Sequence, residues 1–571
     1  MNIPALDFAF LREQVVGMDL PFPTPFGQRH VVYCDYTASG RSLHFIENYL
    51  IHLQRSYANP HTSDDVTGRR ITQRLHEAEQ IIKDAVNAGP QGRIIACGTG
   101  ATGAIDKFQQ LLGVACPPAT RQMLSGIFGD WLGADGWTAA SDFLLGRYPV
   151  VFVGPYEHHS NEITWREGLA TVVKVRLADD GGVDLAHLEA LLREPAYQGR
   201  LRIGSFSAAS NVTGTISPVH SIARLLHRHG ALACFDFAAS APYVHIDMNP
   251  PHDADGDPSL DAVFISPHKF LGGPGASGVL VFNQRIYPRH LAPSVGGGGT
   301  VDYVGDEQHD FTEDIEQREK AGTPGALQIM KAALAFQVKQ AVTVEKIEAR
   351  EQELLGRACE KWQANPGIEI LGNPDPARRL AIVSFNVRGA EGRYLHPKLI
   401  TTLLNDLFGI QSRAGCSCAG PYGHRLLDID TETSERYRHW VHEGYLGIKP
   451  GWCRLGFHYV MDDVEADYVI AAVDFVGQHG HLFTSLYEFD LNSGAWIHPG
   501  DPGVQEHFSL DSALTAGPEP ASALTADARS VLYARYLQEA QQWACRLQQD
   551  PPKAPAVLEG DLAALQFFCM P

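Results

Sequence analysis

Short apolar runs that each end on a polar group recur through the first half of the chain. Residues 148–154 (YPVVFVG) run into Glu157, His158, His159, Ser160 and Asn161; residues 202–210 (RIGSFSAAS) run into Asn211. Residues 231–237 (ALACFDF) carry Asp236, and residues 261–266 (DAVFIS) lead to Lys269 and a glycine-rich turn. Runs of this length and composition read as buried strands. Between them lie amphipathic stretches such as residues 67–88, where Ile71, Leu75, Ala78, Ile82 and Ala85 fall near helical spacing. The alternation continues to Asn283 and predicts an α/β domain with a mostly parallel sheet and helices on both faces. From Leu327 a long helical pattern leads into segregated strands and helices, among them RLAIVSFNV, a strand ending in QSRAGCSCAG, and GWCRLGFHYV. The expected division is an arm over residues 1–30, an α/β domain over 31–325, a smaller α+β domain over 326–480 and a C-terminal extension over 481–571. In the extension, LTAGPEPASAL reads as a linker, and Thr525 as the cap of a helix with Leu532, Tyr536, Trp543 and Leu547 on one face.

The strand ends carry the candidate chemistry. In open parallel sheets ligands bind beyond the carboxyl ends of the strands, so His158, Asn211, Asp236 and Lys269 are expected to converge. A lysine at a strand end, with small residues that let a ligand approach the backbone, can form a Schiff base with an aldehyde cofactor. Taken singly, each residue has a plainer reading. His158 would be a satisfied core histidine, Asn211 a turn former, Asp236 a helix cap and Lys269 a solvated loop lysine. Upstream, RIIAC runs into Gly98-Thr99-Gly100-Ala101-Thr102-Gly103 and a helix, a backbone cup suited to a phosphate. The same glycines match a dinucleotide fingerprint, but residues 114–126 contain no acid to hold a ribose, and a purely structural turn is the third reading.

Charge narrows the partners. Asp and Glu outnumber Lys and Arg by 66 to 46, and the net charge of −20 argues against nucleic acid or an anionic membrane and favours a small-molecule substrate. Asp7, Arg12 and Glu13 interrupt what a signal peptide needs, and no run of 18 apolar residues occurs, so a cytoplasmic protein is expected. Ten cysteines are too sparse for a disulfide framework, and the one close pair is Cys416 and Cys418. No metal site is expected, because Cys416, Cys418 and His424 lack the second cysteine pair of a tetrahedral site.

With GATGAI, EHHSN, SNVTGT, DFAAS, SPHK, AGTPG and RAGCSCAG in this order, residues 33–476 resemble the class V branch of fold-type I pyridoxal phosphate enzymes, the group of cysteine desulfurases and selenocysteine lyases. The resemblance implies pyridoxal 5′-phosphate held on Lys269, with Asp236 on the pyridine nitrogen, His158 stacked on the ring and Asn211 at the ring hydroxyl. Ala101, Thr102, Ser266 and His268 would hold the phosphate, and Thr323 would reach the phosphate of a partner subunit in a homodimer with shared sites. Arg413 would bind the carboxylate of an amino-acid substrate and Cys418 would accept its sulfur, with a sulfur-acceptor protein as a further partner. A fork-shaped guanidinium suits a carboxylate, and a nearby cation favours the thiolate nucleophile. The expected activity is sulfur removal from L-cysteine. The rivals are transamination, epimerisation or C–S lysis with Cys418 a bystander, and a nucleotide-binding module. The chain departs from the pattern at Ala239, where many members carry glutamine, and in the longer segment between Cys418 and Arg454, which is placed to cap the pocket or reshape its specificity.

Overall fold

The apolar runs of the first half join into one seven-stranded sheet. The strands are β1 (Gly92–Cys97), β2 (Val150–Val153), β3 (Thr171–Lys174), β4 (Arg202–Ser207), β5 (Leu232–Asp236), β6 (Ala262–Ile265) and β7 (Gly278–Asn283), in the spatial order β1-β7-β6-β5-β4-β2-β3. This computed structural model describes residues 5–571 apart from 63, 253, 390–391, 504–507, 516, 518–523 and 550–556. Strands β2 to β6 pair in parallel with their neighbours, while β7 runs antiparallel to both β1 and β6. β2 is buried at all four positions, as a strand covered on both faces must be. Because β2, β4, β5 and β6 run the same way, the residues that follow them emerge at one edge of the sheet.

Helix α1 (Val66–Ala85) buries Ile71, Leu75, Ala78 and Ile82, the stripe its periodicity predicts. α2 (Gly100–Leu111) turns Ala104, Ile105 and Phe108 into the core beside Phe264 and Leu280. α3 (Pro118–Leu145) behaves differently. It is broken at Gly133 (φ 69°, ψ 170°), and none of its residues is buried. Trp131 is 75% exposed, and Met123, Ile127 and Phe143 are exposed as well. A helix apolar on all sides is normally a buried one, so this segment is an exception.

The chain divides into two units, Met1–Leu6 with Ala38–Glu348, and Asp7–Thr37 with Ala349–Pro571. This differs from the division expected near residue 325, because α4 (Ala326–Val342) packs on α1 and stays with the first unit. The long helical pattern is two helices: Thr343 takes φ 76°, ending α4 before α5 (Val344–Gln363), within which the division falls. From Asp7 on, the chain start packs within the second unit. Within the second unit Val32 and Tyr33 pair in parallel with Ile410 and Gln411, and the buried Arg29 donates to the Leu407 carbonyl.

The second unit carries an antiparallel sheet of β8 (Ile368–Ile370), β9 (Ile382–Val387), β10 (Arg413–Gly415) and β11 (Trp452–Gly456), in the order β8-β9-β11-β10. The long segment after Cys418 forms α6 (Gly420–Leu426) and α7 (Thr431–His442). α8 (Ala526–Gln549) starts as expected, Thr525 Oγ1 accepting from the Ala528 amide, but its buried face is Arg529, Tyr533, Tyr536, Ala540 and Ala544. Of the expected face only Tyr536 is buried, since Tyr533, stacked on Tyr468 at 3.9 Å, sets the rotation. α9 (Gly560–Leu565) returns to α7, where Asp561 accepts from Arg436 and Trp440. Most of the LTAGPEPASAL linker lies outside the described residues.

Candidate active site

Backbone geometry builds the anion cup. Gly100 opens α2 in the left-handed region (φ 56°), and a Cβ there would lie 2.8 Å from Ser266 Oγ and 3.4 Å from His268 Nε2. Glycine therefore lets the helix N-terminus close on the segment after β6. The Ala101 amide donates to Ser266 Oγ at 2.8 Å, so the phosphate candidates of two distant motifs meet. Thr102 is exposed and shares a 2.7 Å hydrogen bond with Ser160 Oγ. His268 is fixed from the other side, its carbonyl accepting from the Gly40 amide at 2.9 Å and from Ser39 Oγ at 3.2 Å.

The edge beyond β2, β4, β5 and β6 holds the rest of the group. Ser160 N–H donates to His158 Nδ1 at 3.2 Å, which places the proton of the neutral ring on Nε2. Asn211 is buried in the turn after β4, where Ser210 Oγ accepts from the Val212 amide. Asp236 is buried at the end of β5, accepting from the Ala238 amide at 2.8 Å. Burial raises its carboxyl above the usual range, against the pull of that amide and of the Lys269 ammonium. Burial and the same ammonium lower His268 to about 4, so its ring is neutral near pH 7. Lys269 thus acts electrostatically on both Asp236 and His268. Thr323 stands on another loop of this unit, exposed and accepting from Asn59 Nδ2 at 3.0 Å.

Glu157 is the first charge after β2, and its role becomes visible only in the fold. Its buried carboxylate accepts from the Gly154 amide (3.1 Å), the Ser207 amide (2.8 Å), Ser207 Oγ (2.6 Å) and Asn161 Nδ2 (2.7 Å). It ties the loop carrying His158 to the end of β4. Burial pushes it up to about 7 despite these donors. The folded state therefore keeps a proton that the unfolded chain has released. That contribution is complete below the ordinary carboxylate value and is lost as pH rises through about 7. Glu157→Gln should be less stable than wild type at about pH 5, with the gap narrowing by up to about 3 kcal/mol near pH 8, in denaturant titrations at both pH values. A gap constant with pH would remove the titrating knot.

The second unit holds Arg413 and Cys418. Arg413 on β10 pairs directly with Arg454 on β11, a repulsive juxtaposition that Asp35 relieves, 3.0 Å from Arg454 Nη2 and 3.6 Å from Arg413 Nη1. Arg454 is buried, which lowers its pKa against the pull of Asp35, whereas the Arg413 side chain is half exposed. Cys418 lies near enough to act electrostatically on Arg454. Alternation on a strand would turn Cys416 and Cys418 to the same side, but the strand ends at Gly415. Ser417 (φ 51°) and Cys418 (φ 57°) form a turn closed by the Ala419 amide on the Cys416 carbonyl at 3.0 Å. Both thiols are exposed. Among the described residues no group of three or more His, Cys, Asp or Glu side chains is placed to hold a metal.

A model of the aminotransferase class-V family matches residues 140–469, more than half of the chain. The chain belongs to the aminotransferase class-V family. Relatives in it include a probable cysteine desulfurase of Halalkalibacterium halodurans, 31% identical over 290 residues that make up 50% of this chain and 65% of that protein. Probable cysteine desulfurase 2 of Mycobacterium leprae is 29% identical over 356 residues, 61% of this chain and 76% of that one. The match thus spans just under two thirds of the first relative's own length. The apo cysteine desulfurase of Thermococcus onnurineus shares the fold at a TM-score of 0.60 and 20% identity, covering 78% of this chain and 95% of that one. The Escherichia coli cysteine desulfurase CsdA does so at 0.59 and 20%, covering 82% and 98%. The chain is thus an enzyme of the class-V fold, a family that works with pyridoxal 5′-phosphate. Its residues fit that group: a cradle at Gly100 that a Cβ would fill, a helix N-terminus for a phosphate, and a buried acid and a lysine at the same sheet edge.

Proposed function

We propose that this class-V enzyme removes sulfur from L-cysteine, leaving alanine and a persulfide on Cys418. The observation that carries this reading is the meeting of Ala101, Ser266, His268, Lys269 and Asp236 around one glycine cup and one sheet edge. The kinship to probable cysteine desulfurases supports the choice of L-cysteine.

Bound pyridoxal phosphate would supply an electron sink for a carbanion at the substrate Cα. Lys269 would hold the cofactor and carry the α-proton. The Ala101 amide, Thr102, Ser266 and His268 would bind its phosphate, His268 as a neutral donor. Asp236 would pair with the pyridine nitrogen, Asn211 with the ring hydroxyl, and His158, its Nδ1 occupied by Ser160, would present its ring face. With Ala239 near this position in place of glutamine, no side-chain amide from that residue tunes the ring hydroxyl. Arg413 would receive the substrate carboxylate. The Cys418 thiolate would attack the substrate sulfur, forming an S–S bond as the C–S bond breaks; the electron pair stays on carbon, which takes a proton. The balance needs no outside oxidant.

Incubation of the purified, cofactor-loaded protein with L-cysteine should form alanine and protein-bound sulfane sulfur in equal amounts. Pyruvate with free sulfide, or a keto acid with bound amino group, would put lyase or aminotransferase chemistry in its place. We also infer a homodimer in which Thr323 reaches the partner's cofactor phosphate. Thr323→Ala should lose cofactor on dialysis several-fold faster while remaining dimeric by light scattering. A monomeric wild type with full cofactor occupancy would exclude the shared site.

A further inference from the structure

We propose that Cys416 is a resolving thiol for sulfur carried on Cys418, so that the chain itself discharges that sulfur as hydrosulfide by forming a Cys416–Cys418 disulfide; this rests on the sulfur-transfer reading above. The geometry of the turn makes the case. Positive φ at both Ser417 and Cys418, with the Ala419 amide returning to the Cys416 carbonyl, is the signature of a tight turn of type I′. In such a turn the Cα atoms of the first and third residues lie about 5.5 Å apart, inside the span of about 4.4–6.8 Å that a disulfide bridges. An extended strand would hold them farther apart. The turn is also anchored: Ser417 Oγ accepts from the indole of the buried Trp452 at 3.2 Å, and Ala419 is buried where it caps α6. With the middle residue pinned and its neighbours exposed, the two thiols flank a fixed point on the surface.

The step balances. The Cys416 thiolate attacks the inner sulfur of Cys418–S–SH, a new S–S bond joins the two cysteines, and the outer sulfur leaves as hydrosulfide with the bonding electron pair. The two cysteine sulfurs together lose two electrons and the outer sulfur gains them. Hydrosulfide is a better leaving group than an alkyl thiolate, which favours this direction. A thiol or dithiol reductant then restores the pair. The sulfur thus departs as a small anion, without a docked acceptor protein.

Cleavage at Arg413 and Arg425 yields one peptide, residues 414–425, that contains both cysteines and no other. Cofactor-loaded wild type and Cys416→Ser are given one equivalent of L-cysteine per chain and no other thiol, and separately sodium tetrasulfide as a chemical sulfur donor, then alkylated, digested and weighed. The expected wild-type peptide is two hydrogens lighter and resists alkylation, with about one equivalent of sulfide released per chain. The Cys416→Ser peptide keeps the extra sulfur, and sulfide release falls at least about tenfold until a reductant is added. A wild-type peptide that retains sulfur as fully as Cys416→Ser, with Cys416 alkylated, overturns the proposal. If L-cysteine loads neither chain but the tetrasulfide-loaded chains behave as described, the resolving pair stands and the reading of L-cysteine as substrate fails.

Discussion

Lys269→Ala, purified with pyridoxal 5′-phosphate, should show no visible absorption that borohydride traps covalently on the chain, and exchange of the L-cysteine α-proton with solvent should fall by at least about 10³-fold. In the proposed reaction Lys269 would combine two roles, supplying the amine that binds an aldehyde and serving as the base for the substrate α-proton. Its charge already shapes its surroundings, opposing the raised carboxyl of Asp236 and helping to lower His268. Removing the cation should therefore move its neighbours as well. In Lys269→Ala the His268 pKa should rise, readable by NMR titration of its ring protons. A variant that remains yellow and exchanges at the wild-type rate would place the cofactor on another amine.

The second large effect separates cofactor chemistry from sulfur transfer. Cys418→Ala should keep its colour and the exchange of the α-proton, yet alanine formation from L-cysteine should fall by a factor on the order of 10²–10⁴, because only the thiolate can accept the sulfur. The residues proposed for cofactor chemistry belong to the first unit, and Cys418 belongs to the second, on a turn that starts after Gly415, so its removal should spare the cup at Gly100. Wild-type alanine formation in Cys418→Ala would exclude the persulfide route. Loss of alanine formation in Cys416→Ala, with Cys418→Ala active, would exchange the two roles.

Much of the first unit was readable from residues alone, for a local reason. A strand buried on both faces must be apolar throughout, so the first polar group after it marks its end. Parallel pairing then delivers His158, Asn211, Asp236 and Lys269 to one edge. What escaped depends on distant or subtle geometry. The pairing of Val32 and Tyr33 with Ile410 and Gln411 links segments nearly four hundred residues apart and leaves no local trace. The break at Thr343 interrupts a pattern whose apolar spacing continues across it. The turn at Ser417 and Cys418 lacks the Asn-Gly or Gly signal such turns usually carry, so RAGCSCAG reads as strand. Glu157 was visible as a charge, but its four donors come from three positions, and only the fold shows that they converge.

The exposed helix α3 sets how the protein behaves in a test tube. At low ionic strength the net charge of −20 should keep the assembled molecules apart, so that apolar side chains such as Trp131, Ile127 and Phe143 seldom meet those of another molecule. Raising salt from about 0.1 M to 1 M shortens the screening length from about 10 Å to about 3 Å, while excluded salts strengthen apolar association. The two trends act in the same direction, so solubility should fall with added sulfate and recover on dilution. The same side chains should retain the protein on a phenyl resin.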